Sequence, residues 1–109
     1  MELRVFPQVE KILRKESIEI REDVQDVLEK ILLGLPIGMP HIKQVVGICH
    51  GLYEIRVKDR AGQFRVIYLK EHRGALYLLH AFRKKTRKIP EKEKSIIIKR
   101  MAEVLHEKD

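Results

Sequence analysis

Gly51 to Lys88 reads GLYEIRVKDRAGQFRVIYLKEHRGALYLLHAFRKKTRK, and this stretch decides the fold. Leu52 to Lys58 alternates, with Tyr53, Ile55 and Val57 on one face and Glu54, Arg56 and Lys58 on the other. That period of two predicts a half-buried strand. Asp59-Arg60-Ala61-Gly62 supplies turn chemistry, since glycine takes positive φ freely and aspartate caps its own turn. Phe64 to Leu69 is a second strand, Arg73-Gly74 closes a second turn, and Ala75 to Phe82 is a third strand.

The alternation also predicts register, because a slip of one residue sends every side chain to the wrong face. Lys58 opposite Gln63 brings Val57 to Phe64, Ile55 to Val66 and Tyr53 to Tyr68 in one apolar face. On the reverse face Arg56 meets Arg65. Across the second turn, Lys70 opposite Ala75 pairs Tyr68 with Tyr77, Val66 with Leu79 and Arg65 with His80. Arg56, Arg65 and His80 then form one row over three strands. Like charges directly opposite each other destabilise a sheet. The row therefore needs an anion, either Glu54 from inside or a phosphate from outside. The third strand runs into Arg83-Lys84-Lys85-Thr86-Arg87-Lys88, five basic residues among six, which can fold over the end of the row.

The 109 residues are expected to form a single domain with a modest core. One cysteine excludes an internal disulfide framework and fits a reducing compartment. Neither a signal peptide nor a membrane span is evident, so a cytoplasmic protein without membrane association is expected. The net charge of +7 is uneven. Residues 1–55 carry −2, residues 56–100 carry +11 and residues 101–109 carry −2. A positive field gathered on one segment points to a polyanion partner, bound in a salt-sensitive way.

Around the three strands, Glu2 to Phe6 reads as a short strand. Pro7 opens a helix to about Lys15. Ser17 caps a second helix carrying the stripe Ile20, Val24, Val27, Leu28 and Ile31, ending at Gly34. These two helices, as an antiparallel pair, should cover the Tyr53/Ile55/Val57 face. Leu35 to His41 is a loop, and Ile42 to Val46 a further strand. Pro90 opens a last helix with the stripe Ile97, Met101, Val104 and Leu105, expected to pack on Ile67, Leu76 and Leu78. Only the Arg56/Arg65/His80 end of that face should stay open.

Each candidate has a plainer alternative. Cys49-His50 has no second pair at ligand spacing, so no metal site is expected and Cys49 reads as inert. His41 and His72 fall in predicted loops and read as solvated. A lone histidine in an apolar strand, such as His80, is more often a hydrogen-bonded core residue than a proton carrier. Tyr53, Phe64, Tyr68 and Tyr77 read as core rather than as platforms for base stacking. Glycine-rich phosphate loops, Ser-His-Asp sets and paired catalytic carboxylates are not evident.

The segments GLYEIR, GQFRVIYL and LLHAFRKKTRKIP resemble the RelE/ParE toxin superfamily in its HigB-like, phage-derived branch. The resemblance runs from Lys43 to about Arg100. It implies an α+β, RelE-like fold. Its antiparallel-rich twisted sheet would have three C-terminal strands in a meander and one or two N-terminal strands. Two N-terminal helices and one C-terminal helix would flank it. It further implies a toxin of a type II toxin–antitoxin system that cuts mRNA on the ribosome, with a cognate antitoxin of helix-turn-helix type as partner.

Arg65 matches the family's active-site arginine, and Arg56 and Lys84-Lys85 match positions that are commonly basic. One departure stands out. Several members carry a tyrosine or histidine near the C-terminus as acid or base. Here no tyrosine follows Tyr77, and the last histidine, His106, falls in the expected helix.

The residues suit cleavage without metal or cofactor. The RNA 2′-hydroxyl attacks the adjacent phosphorus, and arginines stabilise the charge that builds on the phosphoryl oxygens. Arg56 and Arg65 would form the clamp. Lys84 or Lys85 could be the base, its pKa lowered by neighbouring cations, with His80 as the alternative. Lys58, Arg83, Arg87 and Lys88 are the further RNA-binding candidates. Two rival readings share the fold or the charge: a non-enzymatic nucleic-acid binder, and a ParE-like poison of DNA gyrase.

Overall fold

Alternation along the central hairpin yields the expected pairing. The computed structural model describes residues 1–38 and 40–106. In chain order come β1 (Glu2–Val5), α1 (Pro7–Arg14), α2 (Ile18–Leu32), β2 (Ile42–Gln44) and β3 (Leu52–Asp59). β4 (Gly62–His72), β5 (Ala75–Lys84) and α3 (Glu91–Leu105) follow. The strands form one five-stranded sheet in the order β1-β5-β4-β3-β2. Neighbours are antiparallel except for β1, which lies parallel to β5. Between β3 and β4 the register is as expected, with Val57 opposite Phe64, Arg56 opposite Arg65 and Tyr53 opposite Tyr68. Tyr53 and Tyr68 stack with ring centroids 5.7 Å apart.

The pairing of β4 with β5 departs from expectation. Arg73 and Gly74 both take positive φ, 52° and 80°. That is the backbone of a two-residue hairpin turn whose twist matches the flanking strands. β4 therefore continues to His72, which pairs with Ala75 in place of Lys70. Further on, Ile67 pairs with His80 and Tyr68 with Leu78, so Leu79 is an extra bulged residue. Arg65 meets Phe82, not His80, and Val66 meets Ala81, not Leu79.

The altered register exchanges faces. Leu76 and Leu78 pack with α1 and α2, while Tyr77 and Leu79 pack with α3, the reverse of the expected assignment.

Both helices predicted near the N-terminus form. Pro7 occupies the first turn of α1, and Ser17 Oγ accepts the Ile20 amide at 3.2 Å to cap α2. α1 lies over β5 and α2 over β3. They close a core with Ile55, Val57 and the fully buried Phe64, a side chain whose burial is worth about 1.5–3 kcal/mol. The expected loop from Leu35 to His41 is observed at its described residues, with Met39 outside them. α3 buries Ile97, Met101 and Val104 on the other face, whereas Leu105 points to solvent. Among the described residues no helix is long and apolar enough to cross a membrane.

Candidate nucleic-acid interface

Register stacks polar residues at one end of the face that α3 covers. The pairs Lys58–Gln63–Lys84 form one row and Arg56–Arg65 a second. Lys43–Glu54 starts a third row that continues through Ile67 to His80. The segment after β5 bends beside these rows, where Thr86 Oγ1 donates to the Lys88 carbonyl at 2.8 Å. The result is an open cavity of about 590 Å³. Its walls bear six cations, Lys43, Arg56, Arg65, Lys84, Lys85 and Arg87, around the single carboxylate of Glu54.

Glu54 is the internal anion that the paired arginines require. Its Oε1 lies 3.5 Å from Arg65 Nε, 3.7 Å from Arg56 Nε and 4.0 Å from Lys84 Nζ. Gln63 accepts a short hydrogen bond from Arg65. One buried carboxylate against three cations leaves a net charge of about +2 at the centre of the cavity. The Arg65 side chain is 3% exposed and that of Lys84 only 9%. Burial, then the neighbouring Arg65, Lys43 and Arg56, hold the Lys84 pKa below the usual lysine value, with Glu54 opposing them. A buried, cation-crowded lysine is poised both to bind phosphate and to lose its proton.

The structure brings Arg56, Arg65, Lys84, Lys85 and Arg87 to this cavity. It separates the other four candidates, His80, Lys88, Lys58 and Arg83, from it. His80 is covered by α3: its Nε2 lies 3.2 Å from Glu93 Oε1, and its Nδ1 lies 3.2 Å from Arg100, which also donates to the Leu79 carbonyl. Burial pushes the His80 pKa down, with Glu93 pulling it up. The expected Arg65–His80 contact fails because the tight turn moves the β4–β5 pairing by two residues and carries Phe82 to that position, while a register shift between Leu69 and His72 and the bulge at Leu79 offset each other. Lys88 is exposed beyond the cavity wall, and Lys58 lines a neighbouring groove.

Arg83 points to the opposite face. It bonds Asp59 Oδ1 at 2.7 Å and Oδ2 at 2.9 Å, bonds Glu16 at 2.5 Å, and lies over the Phe64 ring. Ser17 Oγ completes the cluster by donating to Asp59 at 2.7 Å. Arg83 therefore clamps the α1–α2 turn to the β3–β4 turn and is not a free RNA contact.

Arg83→Ala is expected to lower Tm by on the order of 5–10 °C, because it leaves two acceptors short of a charged donor. It should leave RNA affinity nearly unchanged, which thermal unfolding and filter binding check together. The Arg83 and Ser17 hydrogen bonds hold the Asp59 pKa below the usual carboxylate range. The folded value is the depressed one. The stabilisation is thus complete above the unfolded value of about 4 and is lost as pH falls through the folded value.

Lys43 and Gln63 also line the cavity, although the sequence does not mark them as site candidates. Their signal is alternation alone: Lys43 faces Glu54 across β2–β3, and Gln63 sits between Lys58 and Lys84.

Residues 11–102 match the family model described as "Phage derived protein Gp49-like (DUF891)". The chain belongs to this Gp49-like family. No protein of the curated set matches it in sequence. Among solved structures, the free-state mutant of E. coli toxin RelE is similar with a TM-score of 0.67 and 18% identity, over 92% of this chain and 96% of that one. The isolated E. coli RelE toxin gives 0.59 and 17%, over 92% and 97%. The Gp49-like chain thus has a RelE-like toxin fold, in keeping with the phage-derived branch that its motifs resemble.

Proposed function

We propose that this Gp49-like protein is the toxin of a toxin–antitoxin pair and a ribosome-dependent mRNA endoribonuclease. The observation that carries the reading is the cavity in which Arg56, Arg65 and Lys84 converge on one carboxylate with charge to spare. Arg65 and Arg56 take the scissile phosphate in place of part of their contact with Glu54. Neutral Lys84 removes the 2′-hydroxyl proton, the 2′ oxygen bonds to phosphorus, and the bond to the 5′ oxygen breaks. The products are a 2′,3′-cyclic phosphate and a 5′-hydroxyl, whose proton comes from water at the open side. Charge building on the phosphoryl oxygens meets the two guanidinium groups in a partly dehydrated site, where such bonds are strongest. Lys43, Lys85 and Arg87 draw in the backbone, and the ribosome supplies the alignment of the mRNA. A co-encoded antitoxin of helix-turn-helix type covers the cavity.

Brief expression without antitoxin should arrest growth and leave mRNA ends within translated codons, carrying cyclic phosphate and 5′-hydroxyl termini. Intact mRNA with DNA damage would instead identify a gyrase poison. RNA affinity without new ends would identify a simple binder. Affinity for RNA should drop steeply with salt, since each phosphate neutralised contributes a log–log slope of about −0.7 on single strands.

A further inference from the structure

Gln63 and Arg65 lie where the basic cavity meets a neighbouring open groove of about 500 Å³. They are two residues apart on β4, so both side chains leave the same face of the strand. Each nitrogen of the Arg65 guanidinium has a neighbour. Nε lies 3.5 Å from Glu54 Oε1, an ion pair without a hydrogen bond. Nη1 reaches the Phe64 carbonyl at 3.5 Å, a long and weak bond. Nη2 donates a short bond to Gln63 Oε1. Among the described residues Gln63 is thus the one side chain that hydrogen-bonds this buried arginine. Five N–H donors against three neighbours leave two for a bidentate grip on phosphate.

The chemistry of the pair fixes its sense. A guanidinium only donates, so the Gln63 amide turns its oxygen to Arg65. Charge explains why an amide stands there. Gln63 pairs with Lys58 on one side and Lys84 on the other. A carboxylate at that place would bind Arg65 more tightly, but it would lower the central charge from about +2 to about +1 and oppose an incoming phosphate. We propose that Gln63 is the positioning residue of the phosphate clamp, a neutral acceptor that fixes the plane of the Arg65 guanidinium without spending its charge. The proposal rests on reading the basic cavity as an RNA phosphate site.

Two variants at this exposed position separate orientation from charge. Gln63→Leu keeps the bulk and removes the acceptor, whereas Gln63→Glu keeps the acceptor and adds a charge. The readouts are the Arg65 guanidinium NMR signals (hindered rotation gives resolved Nη protons), affinity for inorganic phosphate, and single-turnover cleavage on programmed ribosomes. Gln63→Leu should average the Arg65 signals and slow cleavage at least about tenfold, the effect of a misaligned group, with phosphate affinity within about twofold of native. Gln63→Glu should keep the signals resolved and weaken phosphate binding about tenfold. Signals as resolved in Gln63→Leu as in the native protein overturn the positioning role, and so does averaging without loss of rate in a protein that cleaves. Native phosphate affinity in Gln63→Glu overturns the need for a neutral acceptor. If the native protein never cuts mRNA while the signals and phosphate affinities behave as stated, the positioning of Arg65 is upheld and only the nuclease reading fails.

Discussion

If the cavity is the proposed nuclease site, Arg65→Ala should cleave mRNA on programmed ribosomes at least about 100-fold more slowly than the native protein, the usual effect of deleting one preorganised donor to a developing oxyanion. Arg65 lies at the junction of the two cavities and is held from two sides, by Glu54 at 3.5 Å and by Gln63. Sequence reasoning, which sees two arginines facing each other, expects the variant to keep or gain stability. The structure revises that expectation. Glu54 already lies against both arginines and offsets part of their repulsion, and Arg65 fills buried space, so its removal leaves a void and a loosened carboxylate. A cost of about 1–3 kcal/mol follows, softened because Arg56 and Lys84 remain beside Glu54. Single-turnover cleavage and thermal unfolding, run on the same preparation, separate the two effects. Arg65→Lys should recover ribosome and RNA binding but little of the rate, because an ammonium lacks the two-pronged donor geometry. A rate within about threefold of native in Arg65→Ala would remove this arginine from the chemistry.

Lys84→Ala should lower the cleavage rate by about 10²–10⁴-fold, the range attributed to a positioned general base, while RNA binding weakens far less. Below its pKa the lysine is charged and inactive as a base, so the native rate should climb about tenfold per pH unit and then level off. Because burial and neighbouring cations depress that pKa, levelling should occur below the pH at which a free lysine titrates. In Lys84→Ala the climb should vanish. His80→Ala supplies the contrast. His80 holds α3 to β5 through Glu93 and Arg100 and does not line the cavity, so this variant should lose stability before it loses rate. A larger chemical defect in His80→Ala than in Lys84→Ala, at equal fold and binding, would transfer the base to the histidine.

Glu54 shows where sequence reading of the site stops. Its position two residues before Arg56 offered it as a local ion-pair partner, and it is one. That it is buried and shared with Arg65 and Lys84 depends on β4 and β5 arriving beside β3. Lys43 enters the same cavity from β2, far away in sequence. Arg83 and Lys84 are equally basic neighbours in a strand, and their alternation sends them to opposite faces. One meets Asp59 and Glu16 and the other meets the cavity. A charge run in a sequence does not reveal this division until the strand's end and its partners are known.

By itself the sequence determined the three-stranded meander, the helices and their caps, the β3–β4 register and the concentration of positive charge. Each of these is local: alternation, turn residues and caps act within a few residues, and one buried face enforces the hairpin pairing. Tertiary structure alone decided the β4–β5 register and, with it, the place of His80. An Arg-Gly turn with both residues at positive φ, a register shift between Leu69 and His72 and a bulge at Leu79 change the pairing, and the apolar pattern of the sequence marks none of them. Those three features settle which side chains meet across β4 and β5. Their stability comes from packing against α3 on one face and α1 and α2 on the other, which are contacts between residues distant in the chain.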